Sequence, residues 1–275
     1  MFGKGCLATC LEMNPYFEIS GPVVLESVES VLSLNIQKQF SGAGETFQVT
    51  EIGSTYRIPH MTAGIFRGQI RNWPLLPQSF RGVELASAET SQAERSYHWY
   101  KSTQKFRQFC ERAEVQNPAF PTGTADRMSI AQHFGVATPF LDWTRSIFTA
   151  VFFAVREVFA NPEFENDLKV FMYHIIDERL LRSGLPDEPQ LIDFAQSAFV
   201  EPFHIDRRIE RQRGVFTYHP HPMQRPPKIQ ANCYVIEWSL IEQLLNLMKG
   251  FGFTEDYFFP DYAGIATAVN FHTSL

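Results

Sequence analysis

Apolar positions along the chain fall into two regimes, some spaced three or four apart and some β-branched or nearly continuous; the first predicts helices and the second strands. Residues 22–40 place Leu25, Val28, Val31, Leu32 and Ile36 on or near one face, which predicts an amphipathic helix. Ser41 to Gly44 then interrupts the chain before a strand-like stretch, Phe47 to Tyr56, rich in Thr, Ile and Val. From Ala93 to Ala113, Trp99, Phe106, Phe109, Cys110 and Ala113 recur at helical spacing with Lys101, Lys105, Arg107, Glu111 and Arg112 between them. That pattern predicts a surface helix packed along one side, ended by the proline- and glycine-bearing stretch 117–123.

The middle of the chain is denser. A short helix through Gln132 and His133 is expected to end at Gly135, a residue suited to a left-handed cap. Phe140 and Leu141 then enter the core, and Asp142 or Thr144 is placed to cap the next helix. That helix, expected over Ser146 to Ala160, is apolar nearly all round and so should be central and buried, its first N–H groups and partial positive charge open to an anion. Lys169 to Ile176 and Cys233 to Trp238 read as strands. Ser239 followed by Glu242 reads as a capping box that opens a Leu-rich helix ended by Gly250, and a last short helix follows Tyr257 to Gly264. The fold class is therefore α+β: a single globular domain over 46–275, with a mixed or antiparallel sheet around a buried central helix, preceded by a helical appendage over 1–45.

Composition changes this picture only in part. The chain has 26 Phe and 14% aromatic residues, so rings must fill much of its core, and such rings also suit the walls of a site for a planar ligand. A net charge of −6 provides no global basic field, so general nucleic-acid affinity is not expected. No apolar run approaches the roughly 18 residues of a membrane span, which points to a cytoplasmic protein with no membrane partner. Cys6, Cys10, Cys110 and Cys233 lack disulfide-framework or zinc spacing, so no metal is expected. His219 and His221, set among prolines, read as a solvated loop rather than a metal pair.

Candidate chemistry begins at Ile65-Phe66-Arg67-Gly68-Gln69. The glycine permits a tight turn or close approach of another group to the backbone, and the arginine beside it is held rather than free. Trp73 to Pro77 is stiffened by its prolines and predicts the rim of a site.

Phe66-Arg67-Gly68-Gln69, Gln132 to Gly135 with Thr138, Leu141-Asp142-Trp143-Thr144 with Ala150 to Ala154, Arg208 with Gln212, Gly214 and Phe216, and Phe259-Pro260-Asp261 with Gly264 occur in that order. Together they resemble the FRG domain, a family named for its Phe-Arg-Gly signature and common in bacterial and phage-related settings. The resemblance raises an ADP-ribosyltransferase-like reading: an NAD-directed site in bacterial or phage conflict, as in a toxin or phage defence, with NAD as substrate and no cofactor required. In that layout Arg67 meets the dinucleotide, Thr144 with Ser146 orients the ribose, and Glu210 or Gln212 takes the place of the catalytic acid. His133 serves as acid/base or ribose contact, while Phe66, Gln69, Thr138, Asp142, Trp143 and Arg208 complete the ligand-binding set. A guanidinium can hold a pyrophosphate bidentately, and an acid can stabilise the oxocarbenium-like state as nicotinamide leaves. Gln212 is neutral and would do that last job poorly, so its occupation of the third position would favour binding without turnover.

Each residue also has a structural alternative. Arg67 and Asp142 can form an ion pair that ties two motifs together. His133 can be a core histidine, Thr138 and Thr144 caps, Arg208 and Gln212 partners of buried backbone groups, and Asp261 the cap of the last helix. Two other functions stay open: a recognition module for a nucleotide or partner protein without catalysis, and a metal-independent nuclease or phosphodiesterase with His133 as base and Arg67 and Arg208 on phosphate. The functional readings require Arg67 and Thr144, far apart in sequence, to meet at one hollow.

Overall fold

Strand β1 (Phe17–Leu25) opens the architecture, in a computed structural model that describes residues 14–34, 46–51, 54–59, 64–81, 92–156, 170–175, 177, 180, 195–202, 207–221 and 226–272. Helix α1 (Val28–Ser33) follows, with Ser27 and Ser30 forming a reciprocal capping box. The helix expected over 22–40 is thus shorter, because Pro22 to Leu25 belong to β1. The physical reason is position. β1 lies at the edge of its sheet, where a residue without an N–H is tolerated, and its register shifts between Ser20 and Val23, around Gly21 and Pro22. Residues 35–45 lie outside the described part.

Strands β2 (Thr46–Glu51) and β3 (Ser54–Pro59) pair as a separate antiparallel hairpin over the stretch predicted to be strand-like. Then come β4 (Ile65–Gln69), a 3-10 turn (Gln78–Phe80), α2 (Gln92–Gln116), α3 (Thr124–His133), β5 (Phe140–Thr144), α4 (Ile147–Val155), β6 (Val170–Ile175) and β7 (Ala198–Val200). The chain continues with α5 (Arg207–Arg211), β8 (Gly214–Tyr218), β9 (Ile229–Ile236), α6 (Trp238–Gly250), α7 (Glu255–Phe258) and α8 (Tyr262–His272). Seven strands form one mixed sheet in the order β1-β9-β6-β4-β5-β8-β7, in which only β1 and β9 run parallel. The α+β class with a mixed sheet and a buried central helix is the observed one. β1, drawn from the segment expected as an appendage, pairs with β9 from Phe17↔Ile229 to Leu25↔Ile236.

Both faces of the sheet are covered. On one, α4 lies against β4 and β6, and its Val151, Phe152, Ala154 and Val155 pack with Phe66, Met172, Ile236, Leu244 and Phe258. On the other, Tyr16, Phe17, Leu75 and Phe80 pack over Ile65, Trp143, Tyr173 and Val235. A third cluster joins Met128 of α3 to Phe140, Val200 and Tyr218 at the far end. All six residues of β6 are buried, as expected of a strand covered on both sides. Its Val170, Phe171, Met172 and Ile175 side chains each contribute roughly 1.5–3 kcal/mol on leaving water.

Three local expectations are corrected. Ser239 and Glu242 form no capping box, because α6 starts at Trp238 with Glu237 at its N-cap and no side-chain cap bond. Neither Asp142 nor Thr144 is the N-cap of α4. Ser146 fills that position, its hydroxyl accepting from the Thr149 N–H, since β5 runs through Thr144 before the chain turns. His219 is fully buried rather than solvated, because its backbone N–H continues to Pro139 beyond the end of β8 and its ring is enclosed by Tyr16 and Phe17.

Candidate functional site

The site begins with a parting of two central strands. β4 pairs with β6 over five positions and β5 pairs with β8 over five, yet β4 and β5 are in register at one position, Phe66 opposite Thr144. Beyond it the Arg67 side chain takes up the gap, its Nη1 donating to the Asp142 carbonyl at 2.8 Å. A guanidinium thus satisfies a carbonyl that strand pairing leaves open.

The Phe-Arg-Gly-Gln segment divides its work by strand alternation. Phe66 points into the core beneath α4 and stacks on the His174 ring at 4.2 Å. Gly68 faces the same way, and a Cβ there would collide with the Ala150 carbonyl, so close approach of α4, not a turn, is what requires glycine. Gln69 accepts from Arg67 Nε at 3.1 Å and donates to the Trp73 carbonyl at 3.0 Å, tying the arginine to the rim.

Opposite lies a second clip. Gln132 donates to the Phe140 carbonyl at 3.2 Å and to Asp142 Oδ1 at 3.0 Å, and accepts from the Thr138 hydroxyl, which in turn accepts from the Phe140 N–H at 3.2 Å. Gly135 takes the left-handed φ of +81° that ends α3 and lets the chain return to β5. At the other end of β5, the Thr144 hydroxyl donates to the Gln212 carbonyl at 2.7 Å and accepts from the Ser146 N–H at 2.9 Å.

Between these clips opens a cavity of about 990 Å³. Phe66, Trp73, Trp143, Phe153 and Phe216 give it aromatic walls; Arg67, Arg81, Arg208, His133 and Asp142 supply its charged and titratable groups. Among the described residues Asp142 is its sole carboxylate, in a protein whose net charge is −6. Burial pushes the Arg67 guanidinium below the usual arginine range, Asp142 opposes that shift, and neighbouring Arg81 adds to it. The Arg67 to Asp142 contact is loose, 3.7 Å from Nη1 to Oδ2, and the Asp142 side chain is 56% exposed. The expected ion pair is thus present as a long contact on a carboxylate that is not buried, beside a shorter hydrogen bond from Arg67 to the Asp142 carbonyl.

Residues 62–163 match the FRG domain family. The chain carries an FRG domain. No curated protein and no solved structure matches it.

The matched span of the FRG domain holds both clips and α4, while Arg208, Gln212 and Phe216 reach the cavity from beyond it. Of the residues anticipated for a site, Phe66, Arg67, Gln69, His133, Asp142, Trp143, Thr144, Arg208 and Gln212 line the cavity. Arg67 and Thr144 do meet at one hollow. Three others stand apart from its walls: Thr138 is buried within the Gln132 clip, Ser146 caps α4, and Glu210 is exposed on α5. The position that faces the cavity is thus Gln212, whose amide donates to the Phe258 carbonyl at 3.1 Å. Arg208 lies 4.2 Å from the centre of the Phe259 ring, and Asp261 accepts from the Gly264 N–H at 2.8 Å as the expected cap of the last helix.

The prolines of 73–77 signalled the rim correctly, and Trp73, Pro74 and Leu76 line it. Arg81, Thr149 and Phe153 were missed. Thr149 and Phe153 share a face of α4 that helical spacing could have flagged; Arg81 has no sequence signal, because only the path of the 72–81 segment brings it beside Arg67. Among the described residues no group of three His, Cys, Asp or Glu is placed to hold a metal, and no helix is long and apolar enough to cross a membrane.

Proposed function

We propose that the cavity of the FRG domain takes a nucleotide of the NAD class, and that the protein is an NAD-directed, ADP-ribosyltransferase-like enzyme of the kind that serves in bacterial or phage conflict. One observation carries this reading: Arg67 and Arg81, whose charges act on each other, line one cavity that also has aromatic residues in its walls. Two neighbouring cations beside a lone carboxylate favour a ligand with more than one negative charge, and a pyrophosphate matches paired guanidiniums geometrically. Trp73 and Phe153, the cavity's less buried rings, offer flat apolar surface to a base or a nicotinamide. Thr144 and His133 line the same cavity and are the candidates for the ribose contact.

Incubation with NAD, read both as released nicotinamide and as a shift in melting temperature, tests it. Release with stabilisation is expected, because a ligand bound only by the native state raises its stability. Neither signal with NAD, ADP-ribose or another nucleotide would sink the reading.

A second reading, a nucleotide-binding module without turnover, is favoured by Gln212 standing where an acid was sought. Stabilisation by NAD without any nicotinamide release separates it from the first.

A further inference from the structure

Resting on the NAD-directed reading, we infer that Asp142 is the catalytic carboxylate of this site, the place sought for Glu210 or Gln212. Glu210 is exposed on α5 and lines no part of the cavity, and the Gln212 amide is committed to the Phe258 carbonyl. Asp142 is the one acid among the described lining residues.

Its surroundings orient it without consuming it. Gln132 holds Oδ1 at 3.0 Å and is itself fixed by the Thr138 hydroxyl, so the carboxylate plane is set from below. Arg67 directs Nη1 at the Asp142 carbonyl instead, leaving Oδ2 3.7 Å away. Arg145 and Glu201 in the same protein show the contrasting arrangement, with two charge-assisted hydrogen bonds of 3.1 and 3.0 Å. A carboxylate serving only as a structural counterion would be engaged like Glu201, whereas that of Asp142 accepts from Gln132 and leaves Oδ2 without a close charged donor, beside the cations that would hold a pyrophosphate.

The step is hydrolysis of NAD. The bond between ribose C1′ and the nicotinamide nitrogen breaks, and nicotinamide leaves neutral with the bonding electron pair. The positive charge that develops on the ribose is stabilised by the Asp142 carboxylate, which then takes a proton from the attacking water as the C1′–O bond forms. That proton passes to solvent, so NAD and water give ADP-ribose, nicotinamide and one proton.

The test compares wild type, Asp142→Asn and Asp142→Ser, reading ADP-ribose affinity by calorimetry and single-turnover nicotinamide release. Removing a carboxylate from beside two guanidiniums does not weaken an anion, so both variants should hold ADP-ribose at least as tightly as wild type, while release falls by ~100-fold or more. Asp142→Glu should recover part of the rate. Wild-type release rates in either folded variant overturn the role of Asp142 and leave the NAD reading standing. Wild type that binds ADP-ribose yet releases no nicotinamide removes the role and leaves a binding module. Wild type that binds no ADP-ribose and turns over no NAD overturns both, and loss of ADP-ribose affinity in the folded variants shows Asp142 to be a binding group only.

Discussion

Arg67 reaches across the gap between β4 and β5 to the Asp142 carbonyl at 2.8 Å, so the residue proposed to meet an anion also fastens two central strands where their pairing has lapsed. Removing it has two separable effects. Arg67→Ala should lose binding of ADP-ribose by calorimetry while costing only about 1–2 kcal/mol of stability, since the freed carbonyl faces a cavity that water can enter. Arg67→Lys should keep most of that stability and still bind poorly, because an ammonium does not reproduce the planar fork. Undiminished ADP-ribose binding by Arg67→Ala would remove the guanidinium from the site.

Gly68→Ala should fold poorly. The added methyl would meet the Ala150 backbone, which belongs to a helix packed on both sides and unable to yield cheaply. A loss of about 1–3 kcal/mol, or more, is expected from such overpacking, read as a lowered melting temperature. An unchanged Tm would show that α4 does not sit so tightly on β4.

Thr144 separates a structural from a chemical hydroxyl. It satisfies the Gln212 carbonyl and the Ser146 N–H, so Thr144→Val should destabilise by about 1–3 kcal/mol and Thr144→Ser should restore most of it. If Thr144→Val melts like wild type but loses nicotinamide release, the hydroxyl acts on substrate rather than on the turn into α4.

His219 ties the core to acid. Burial pulls its pKa down to about 3, with Nε2 2.7 Å from the Thr217 hydroxyl that also accepts from the Trp143 indole at 2.9 Å. In the unfolded chain the same ring titrates near 6.5, so below that pH the unfolded state binds the extra proton and the native state does not. Stability from this group is present above pH 6.5 and is lost as pH falls from 6.5 toward 3, by about 1.4 kcal/mol per pH unit. His219→Gln should be less stable than wild type at pH 7 and lose less on acidification in denaturant titrations. Parallel acid profiles for the two proteins would count against a neutral buried ring.

Cys110 and Cys233 are buried thiols whose pKa values burial raises to about 11. Neither should react with iodoacetamide at pH 8 in the native protein, and both should after unfolding, as peptide mapping would show. Labelling of either in the folded state would mean that its part of the core opens readily.

The class of the fold and the two walls of the cavity were legible in local patterns, because periodicity, a left-handed glycine after α3 and an all-apolar α4 are properties of adjacent residues. The strand character of Pro22 to Leu25 was not, since edge pairing with β9 lies some two hundred residues away. Burial of His219 escaped notice for the same reason: prolines mark a loop, while the rings that enclose it come from residues 16 and 17.

Local chemistry thus named Arg67, His133, Asp142 and Thr144, but only the folded chain decided which of them share a space and which acid joins them. A helical or strand period depends on neighbours a few positions apart, whereas a cavity depends on where two strands stop pairing. Tertiary placement put Gln212 inside and Glu210 outside, the path of the 72–81 segment brought Arg81 beside Arg67, and Asp142 is the carboxylate among the described lining residues.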